Sequence, residues 1–286
     1  ELKKALGYDA VAMKLGELNN ESKFILKYFN MEEPETLNTI KTQVSDLEID
    51  GALCVPPSIT IHTAWKLLKQ HNKKTLVVVN QSGEMIGLAT ISDITRNYMD
   101  ADMDTLLATS KTPYANIIST LKARVVTGTP YNHTAKGRIL IAAQRYSKIG
   151  SYIQRGDIVI VGIIENIREA IVSGAQLVIC TCGLYPRQVD IETAEGNNCD
   201  IIMTDYDTFT TAIFIRQSVP IKHVMSAGNI ISVKVNEFKD DVRERMIKTR
   251  YRSYPVIDEN NKVVGMISRY HLLSQGRKQA ILVDHK

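Results

Sequence analysis

Two short segments of the chain pair a hydroxyl side chain with a hydrogen-bond acceptor three positions later, as at the start of a helix. They are Thr90-Ile-Ser-Asp93 and Ser268-Arg-Tyr-His271. A hydroxyl at a helix N-cap lies beside free backbone N–H groups at the positive end of the helix dipole, where a phosphate is stabilised. The Asp93 carboxylate can accept both hydroxyls of a ribose, whereas the neutral imidazole of His271 offers one acceptor. The pattern alone is equally consistent with recognition of a phosphorylated ribose and with a helix start that binds no ligand.

Basic and aromatic residues cluster around the second segment. Arg250-Tyr251-Arg252-Ser253-Tyr254 precedes a predicted strand, and Arg269-Tyr270 follows the next one. Arginine forks suit phosphates, and tyrosine rings suit a purine. The candidate nucleotide-binding residues are Arg252, Ser268, Tyr270 and His271, then Arg269 and Tyr251, and in the first segment Thr90 and Asp93. A competing interpretation stays open, in which both segments are plain helix starts, the arginines are solvated and Tyr254 belongs to the core.

Each segment closes a longer unit that occurs twice. Residues 76–93 return without a gap as residues 254–271, so Gly87 and Gly265 coincide at an offset of 265 − 87 = 178 residues. Each copy predicts a strand, a turn, a strand and a helix start, with an amphipathic helix upstream. Two copies around an unrelated insert predict a pair that packs against itself. The unit resembles the CBS domain, and this resemblance implies paired copies that bind adenine nucleotides.

The insert alternates between apolar strands and helices, which predicts a small α/β domain. The predicted strands are 123–127, 138–142, 157–161, 177–180 and 200–203, and the predicted helices are 165–173 and 207–216. The insert resembles the DRTGG domain through residues 156–162, 181–183 and 207–211. It departs from that family at Cys182, where glycine is usual, and at Ile164 and Asn166, where arginine and aspartate are usual. We therefore expect a spacer and dimerisation role rather than a ligand site.

The two ends of the chain carry a second resemblance. Residues 15–24, 28–29 and 33–35, together with Ile281-Leu-Val-Asp284-His285, resemble the first domain of the manganese-dependent, family II inorganic pyrophosphatases of the DHH superfamily. This resemblance implies that Asp284 is a metal ligand for Mn²⁺, Mg²⁺ or Co²⁺. One aspartate and one histidine cannot hold two such cations, so we expect the chain alone to be inactive. The resemblance also implies a His-x-x-x-Asp-x-Asp strand upstream of Glu1.

Composition excludes several classes of protein. The chain has 286 residues with 35 basic and 31 acidic side chains, a net charge of +4. The charges are interleaved, so no nucleic-acid partner is expected. No apolar run approaches the about 18 residues of a membrane span, and no signal peptide is recognised, which predicts a cytoplasmic protein without a membrane partner. The four cysteines lack metal-type spacing and are expected to be buried free thiols.

The predicted fold class is α/β and α+β multidomain, with a tandem CBS pair (Bateman module) interrupted by a small α/β DRTGG domain and partial DHH-domain segments at both ends. The predicted divisions are 1–40 (DHH fragment), 41–100 (CBS 1), 101–217 (DRTGG-like), 218–277 (CBS 2) and 278–286 (resumed DHH strand). The helices 61–70 and 242–247 carry more apolar surface than one partner can cover. We therefore expect a homodimer formed through the CBS modules.

The function implied by these resemblances is an adenine-nucleotide-sensing regulatory region of a manganese-dependent inorganic pyrophosphatase. AMP or ADP would inhibit, and diadenosine polyphosphates would activate. Three alternatives remain: a stand-alone CBS-DRTGG nucleotide-binding module, a ligand-free dimerisation module, and an enzyme in its own right such as an acyl-phosphate transferase. No nucleophile with a base partner supports the last of these.

Overall fold

The computed structural model describes residues 5–7, 11–37, 39, 41–99, 103–142 and 148–273. Its contacts divide the chain into two compact units, which are described separately below. One unit comprises Glu1–Ile49, Val233–Tyr254 and Ile267–Lys286, and the other comprises Asp50–Ser232 and Pro255–Met266. Within the described ranges, no helix combines the length and the apolar character that a membrane span requires.

The N-terminal segment forms a helix between two short parallel strands. Its elements are β1 (Met13–Lys14), α1 (Asn20–Tyr28) and β2 (Glu35–Thr36). Asn19 caps helix α1, because its Oδ1 accepts the Ser22 N–H at 2.7 Å. Strand β1 has one partner among the described residues, β2, and each of these strands has two residues. Phe24 and Tyr28 on α1 are 68% and 74% exposed.

The first copy folds as the sequence predicts. Its elements are β3 (Cys54–Val55), α2 (Ile61–Gln70), β4 (Thr75–Val79), β5 (Met85–Thr90) and α3 (Ile91–Met99). The sheet order is β3-β4-β5, with β4 and β5 antiparallel and Thr75 opposite Thr90. Helix α2 buries Ala64 and Leu68 against this sheet. The left-handed residue Asn72, with φ of +48°, lies in the turn that leads from α2 into β4.

The insert forms a five-stranded sheet with helices. Its elements are α4 (Met103–Thr109), α5 (Tyr114–Leu121), β6 (Arg124–Thr127), β7 (Ile139–Ala142), β8 (Ile158–Val161), α6 (Glu165–Val172), β9 (Leu177–Cys180), α7 (Gln188–Gly196), β10 (Asp200–Met203) and α8 (Thr208–Arg216). The sheet order is β6-β10-β9-β8-β7, and only β6 runs antiparallel to its neighbour. The predicted α/β pattern is confirmed, and β9 and β10 agree with the prediction residue for residue.

Strand β8 shows how the core of this unit is built. Ile158 and Ile160 point to one face of the sheet, and Val159 and Val161 point to the other, all fully buried. A parallel strand covered on both faces has an apolar side chain at every position. The core on the isoleucine face is continuous with that of the first copy, including Leu76. The insert and the first copy therefore share one hydrophobic core.

The second copy repeats the architecture of the first. Its elements are β11 (Val233–Lys234), α9 (Lys239–Thr249), β12 (Ser253–Ile257), β13 (Val263–Ser268) and α10 (Arg269–Leu273). The sheet order β11-β12-β13 matches β3-β4-β5. Arg250, with φ of +60°, caps α9 at the position that corresponds to Asn72 in the first copy. The predicted duplication is confirmed, as is the predicted combination of α/β and α+β domains.

The cysteines only partly follow the prediction. Cys180 and Cys199 are buried, and burial raises the pKa of both thiols to about 12. Cys54 and Cys182 are exposed, so the expectation of burial is wrong for them. Cys54 alternates with the buried Val55 on the short edge strand β3, so its side chain faces outward. Cys182 lies in the loop after β9 rather than within the strand.

Candidate functional site

Helix α10 of the second copy is capped by the predicted Ser268–His271 pair. The Ser268 N–H donates to His271 Nδ1 at 2.9 Å, and the Ser268 hydroxyl lies 2.9 Å from the same nitrogen. Because Nδ1 accepts the backbone N–H, we assign the proton of the neutral ring to Nε2. The His271 side chain is buried in this turn. Its first role is therefore to hold the start of α10.

The first copy makes the same cap with a carboxylate. Asp93 Oδ2 accepts the Thr90 N–H at 2.9 Å and the Thr90 hydroxyl at 2.6 Å. The Asp93 N–H in turn lies 3.2 Å from Thr90 Oγ1 and completes a reciprocal capping box. The helix-start interpretation is thus confirmed for both segments. A ligand role for the same side chains stays a prediction, and it would have to coexist with these caps.

The aromatic residues predicted around the second segment are exposed. Tyr251 is 57% exposed and Tyr270 is 78% exposed. Between them in sequence, Tyr254 is 1% exposed and its hydroxyl hydrogen-bonds to Thr249 Oγ1, as expected for a core residue. The centroids of the Tyr251 and Tyr254 rings lie 6.0 Å apart, and the ring planes meet at 61°. One side of the exposed Tyr251 ring therefore packs against Tyr254. The remaining surface of Tyr251 and nearly all of Tyr270 can contact a ligand.

Both basic-aromatic segments lie at the same end of the neighbouring strands β12 and β13, and we call this end the edge of the second copy. In the first copy Thr75 pairs with Thr90, and the 178-residue offset maps this pair onto Ser253 and Ser268. The start of β12 and the end of β13 therefore meet at the same edge. Arg252, exposed and directly before β12, lies on the same edge as the Ser268 cap. Cations, a hydroxyl and aromatic faces at one edge suit a phosphate joined to a purine nucleoside.

Arg269 lies toward a different feature, a cleft between α9 and α10. The cleft has a volume of about 310 Å³ and is lined by Arg243, Met246, Ile247, Arg269, Leu272 and Leu273. Ile247 is 65% exposed and Leu273 is 73% exposed. The sequence indicated the α9 part of this apolar surface and missed the α10 part, because five helical residues are too few to show a period. Arg269 therefore lines this partly apolar cleft as well as following the Ser268 cap in sequence.

The loop that carries the altered DRTGG motif is closed by backbone hydrogen bonds. Cys182 has φ of +56° and Gly183 has φ of +67°. A left-handed backbone explains why glycine suits the position of Cys182. The Cys182 and Gly183 N–H groups donate to the Tyr206 and Thr204 carbonyls at 2.8 and 2.9 Å. These N–H groups are therefore not available to a phosphate, which supports the expected spacer role.

The predicted metal ligand cannot be placed. Asp284 and the resumed DHH strand predicted at 278–286 lie outside the described residues. Within the described part of the chain, no group of three or more His, Cys, Asp or Glu side chains is arranged to hold a metal ion.

Comparisons of sequence identify the domains and the relatives. Residues 44–100 and 221–277 match the CBS domain, and residues 116–218 match the DRTGG domain. The chain is 37% identical over 277 residues to the cobalt-dependent inorganic pyrophosphatase of Clostridium perfringens, covering 96% of this chain and 50% of that protein. It is 31% identical over 280 residues to the probable manganese-dependent inorganic pyrophosphatase of Thermotoga maritima, covering 98% and 51%. The chain thus spans about half the length of these curated relatives.

A comparison of structures gives the same domains. The crystal structure of the CBS and DRTGG domains of the regulatory region of C. perfringens pyrophosphatase, complexed with the activator diadenosine tetraphosphate, superposes with a TM-score of 0.74 at 36% identity. The match covers 80% of this chain and 100% of that one. The duplicated unit and its α/β insert are therefore the CBS pair and the DRTGG domain expected from the sequence, and the chain belongs to the family in which two CBS domains enclose a DRTGG domain.

Proposed function

We propose that this chain is the adenine-nucleotide-sensing regulatory region of a metal-dependent inorganic pyrophosphatase, which hydrolyses diphosphate to two phosphates. The observation that carries the proposal is 37% identity over 96% of the chain to the C. perfringens enzyme. It is supported by the likeness to that enzyme's regulatory region, whose crystal structure contains diadenosine tetraphosphate. In this proposal AMP or ADP inhibits and diadenosine polyphosphates activate.

The catalytic part belongs to the same proposal. Residues 1–40 and 278–286 would be pieces of the DHH catalytic domain, and Asp284 would be one ligand of its Mn²⁺, Co²⁺ or Mg²⁺. The protein would act in the cytoplasm, without a nucleic-acid or membrane partner. Measuring diphosphate hydrolysis by a longer polypeptide that includes this chain, with and without AMP, tests it. Hydrolysis that is unaffected by adenine nucleotides would contradict a regulatory role.

The proposed nucleotide site is the exposed edge of the second copy. Arg252 holds a phosphate, the Ser268 hydroxyl turns from His271 Nδ1 toward the same phosphate, and Tyr270 stacks on the purine. The Ser268 hydroxyl can turn because the single lone pair of Nδ1 is already occupied by a backbone N–H. Tyr251 and Arg269 contribute at the rim. Thr90, Asp93 and His271 act mainly by fixing the two helix starts.

Calorimetric titration of the chain with AMP and with diadenosine tetraphosphate tests this site. We expect both to bind the parent chain, and we expect Arg252→Ala, Arg269→Ala and Tyr270→Ala to weaken binding to different extents. If all three variants bind like the parent, the nucleotide is held elsewhere. If the parent chain binds neither nucleotide, the alternative of a ligand-free dimerisation module is favoured.

We also propose a homodimer that buries the cleft between α9 and α10. The exposed Ile247 and Leu273 form an apolar surface, and its contact with water is unfavourable. Replacing Ile247 with Asp places a charge in that surface, so we expect the dimer to dissociate. Val172, 63% exposed on α6, offers a matched control because Val172→Asp introduces the same charge elsewhere. Sedimentation that shows a monomer for the parent chain, with and without nucleotide, would contradict this proposal.

A further inference from the structure

A cavity with several basic lining residues lies where the chain leaves the first copy for the insert and returns from it. Its volume is about 350 Å³. Three basic side chains line it: Lys111, from the segment that leads into α5, and Lys222 and His223, from the segment that follows α8. Ser58, before α2, adds a hydroxyl, and Asn116, on α5, adds an amide. None of its described lining residues is acidic. We call this feature the linker cavity.

The cations of the linker cavity are not neutralised by neighbours. Among the described residues, neither Lys111 nor Lys222 forms an ion pair. Partial burial, and second the Lys222 ammonium, lower the pKa of His223 below its ordinary value. Cations placed together without a carboxylate repel one another, and a bound anion removes that repulsion.

We propose that the linker cavity binds a small phosphorylated anion between Lys111, Lys222 and the imidazolium of His223. Two ammonium groups, one imidazole N–H and the Ser58 hydroxyl are the donors that a phosphate oxygen shell accepts. The site shares no residue with either helix-cap segment or with the aromatic edge of the second copy. It is therefore a second anion site, independent of the proposed nucleotide site.

The position of the cavity suggests what binding would change. The outgoing and returning segments are already tied together, because Asn116 Nδ2 donates to the Ser218 carbonyl at 3.2 Å. The returning segment is also tied to the first copy, since the Ile221 N–H donates to the Ile59 carbonyl at 2.7 Å. An anion held by Lys111 on one segment and by Lys222 on the other would add a charged bridge to this junction. Binding would thus stiffen the connection between the insert and the first copy.

The test uses a matched pair of lysines. Lys111 and Lys122 both have φ of +48° at the end of a helix. The residue after each closes the same type of turn, with the Thr112 N–H donating to the Leu107 carbonyl and the Ala123 N–H donating to the Ile118 carbonyl. Glycine is favoured in this left-handed position, so replacing either lysine with glycine should spare the fold. Of the two, only Lys111 lines the cavity.

Anion binding at the linker cavity is measured by titrating the intact chain with inorganic pyrophosphate. Saturating AMP is present to occupy the proposed nucleotide site. We expect Lys111→Gly to weaken pyrophosphate binding by about tenfold or more, and Lys122→Gly to leave it within about twofold of the parent. Lys222→Met should resemble Lys111→Gly. Failure of the parent to bind pyrophosphate under these conditions would overturn the proposal, as would parental affinity in both Lys111→Gly and Lys222→Met.

The pH dependence of anion binding tests the role of His223 separately. The charged groups that face its imidazole are Lys222 beside it and Lys111 across the cavity, and no other charged side chain lines the cavity within the described residues. Sulfate keeps its charge between about pH 8 and about pH 6, so it reports on the protein alone. We expect sulfate to bind more tightly at the lower pH, because the anion favours the imidazolium. His223→Gln should abolish that dependence, and an unchanged dependence in this variant would remove His223 from the site.

Discussion

The two CBS copies have the same backbone fold and differ in the side chains at one edge. Each has the same strand order, a left-handed residue at the end of its first helix, at Asn72 or Arg250, and a hydroxyl cap on its second helix. At the edge, the second copy places Tyr251, Arg252 and Tyr270 where the first copy has Lys73, Lys74 and Ser92. One of those lysines is already paired, with Lys73 Nζ lying 3.8 Å from Asp50 Oδ2. The two copies thus differ in the side chains attached to the same backbone frame, and we predict that the second copy carries the stronger site.

Removal of the edge arginine should give the largest difference between the copies. Arg252→Ala removes a charge-assisted phosphate contact, so we expect AMP affinity to fall by about ten- to a hundredfold. Lys74 occupies the corresponding position in the first copy, and Lys74→Ala should change affinity by less than about twofold. Calorimetric titration of both variants measures this difference. Equal losses would show that both copies contact phosphate.

The exposed Tyr270 should give the next largest difference. Tyr270→Ala removes a stacking surface, and base–aromatic stacking contributes about 1–3 kcal/mol, so we expect a loss of about tenfold in nucleotide affinity. The fold should be spared, because Tyr270 is 78% exposed. Ser92→Ala changes the corresponding residue of the first copy and should have no effect. Tyr270→Phe, which keeps the ring, should retain parental affinity; if it loses as much as Tyr270→Ala, stacking is not the interaction.

The helix caps should affect stability more than binding. Asp93→Ala removes the acceptor of the Thr90 N–H and hydroxyl, so we expect the free energy of unfolding to fall by about 1–2 kcal/mol. His271→Ala removes the same cap in the second copy and should cost about 1 kcal/mol, because its acceptor is neutral. Urea denaturation followed by circular dichroism measures both. A fall in nucleotide affinity with no change in stability would instead assign these side chains to the ligand.

Exchange of the cap residues should give the smallest effect. In Asp93→His the imidazole of the second copy replaces the carboxylate of the first, and both can accept the backbone N–H. The loss of a negative charge at the N-terminus of α3 should lower the free energy of unfolding by about 0.5 kcal/mol. A loss as large as that of Asp93→Ala would show that imidazole cannot cap this helix, and that the two caps are not equivalent.

Local patterns in the sequence predict the elements well, for a physical reason. Strands β8, β9 and β10 of the insert are buried at every position, so they appear as mainly apolar runs between polar turns. The duplication predicts the second copy from the first. The exposed position of Cys54 could not be predicted, because it depends on which side of a two-residue edge strand faces the core.

The sequence predicted which residue types form the candidate site but not which atoms in it contact one another. Arginine and tyrosine near a hydroxyl cap indicate nucleotide chemistry, and these residues are exposed as expected. The use of His271 Nδ1 by the Ser268 N–H depends on the rotamer of one buried ring, which spacing does not reveal. The linker cavity joins Ser58, Lys111 and Lys222, which are far apart in sequence, and no local pattern predicts that they meet.

The continuous core on the isoleucine face of β8 limits which domains can be deleted from this protein. Deleting the insert would strip apolar cover from Ile61, Leu76 and other buried side chains of the first CBS copy, because these belong to the same cluster as Ile158 and Ile160. A chain joined directly from the first copy to the second would therefore need a repacked surface to stay soluble. Removal of the DRTGG domain would therefore expose apolar side chains of the copy that precedes it.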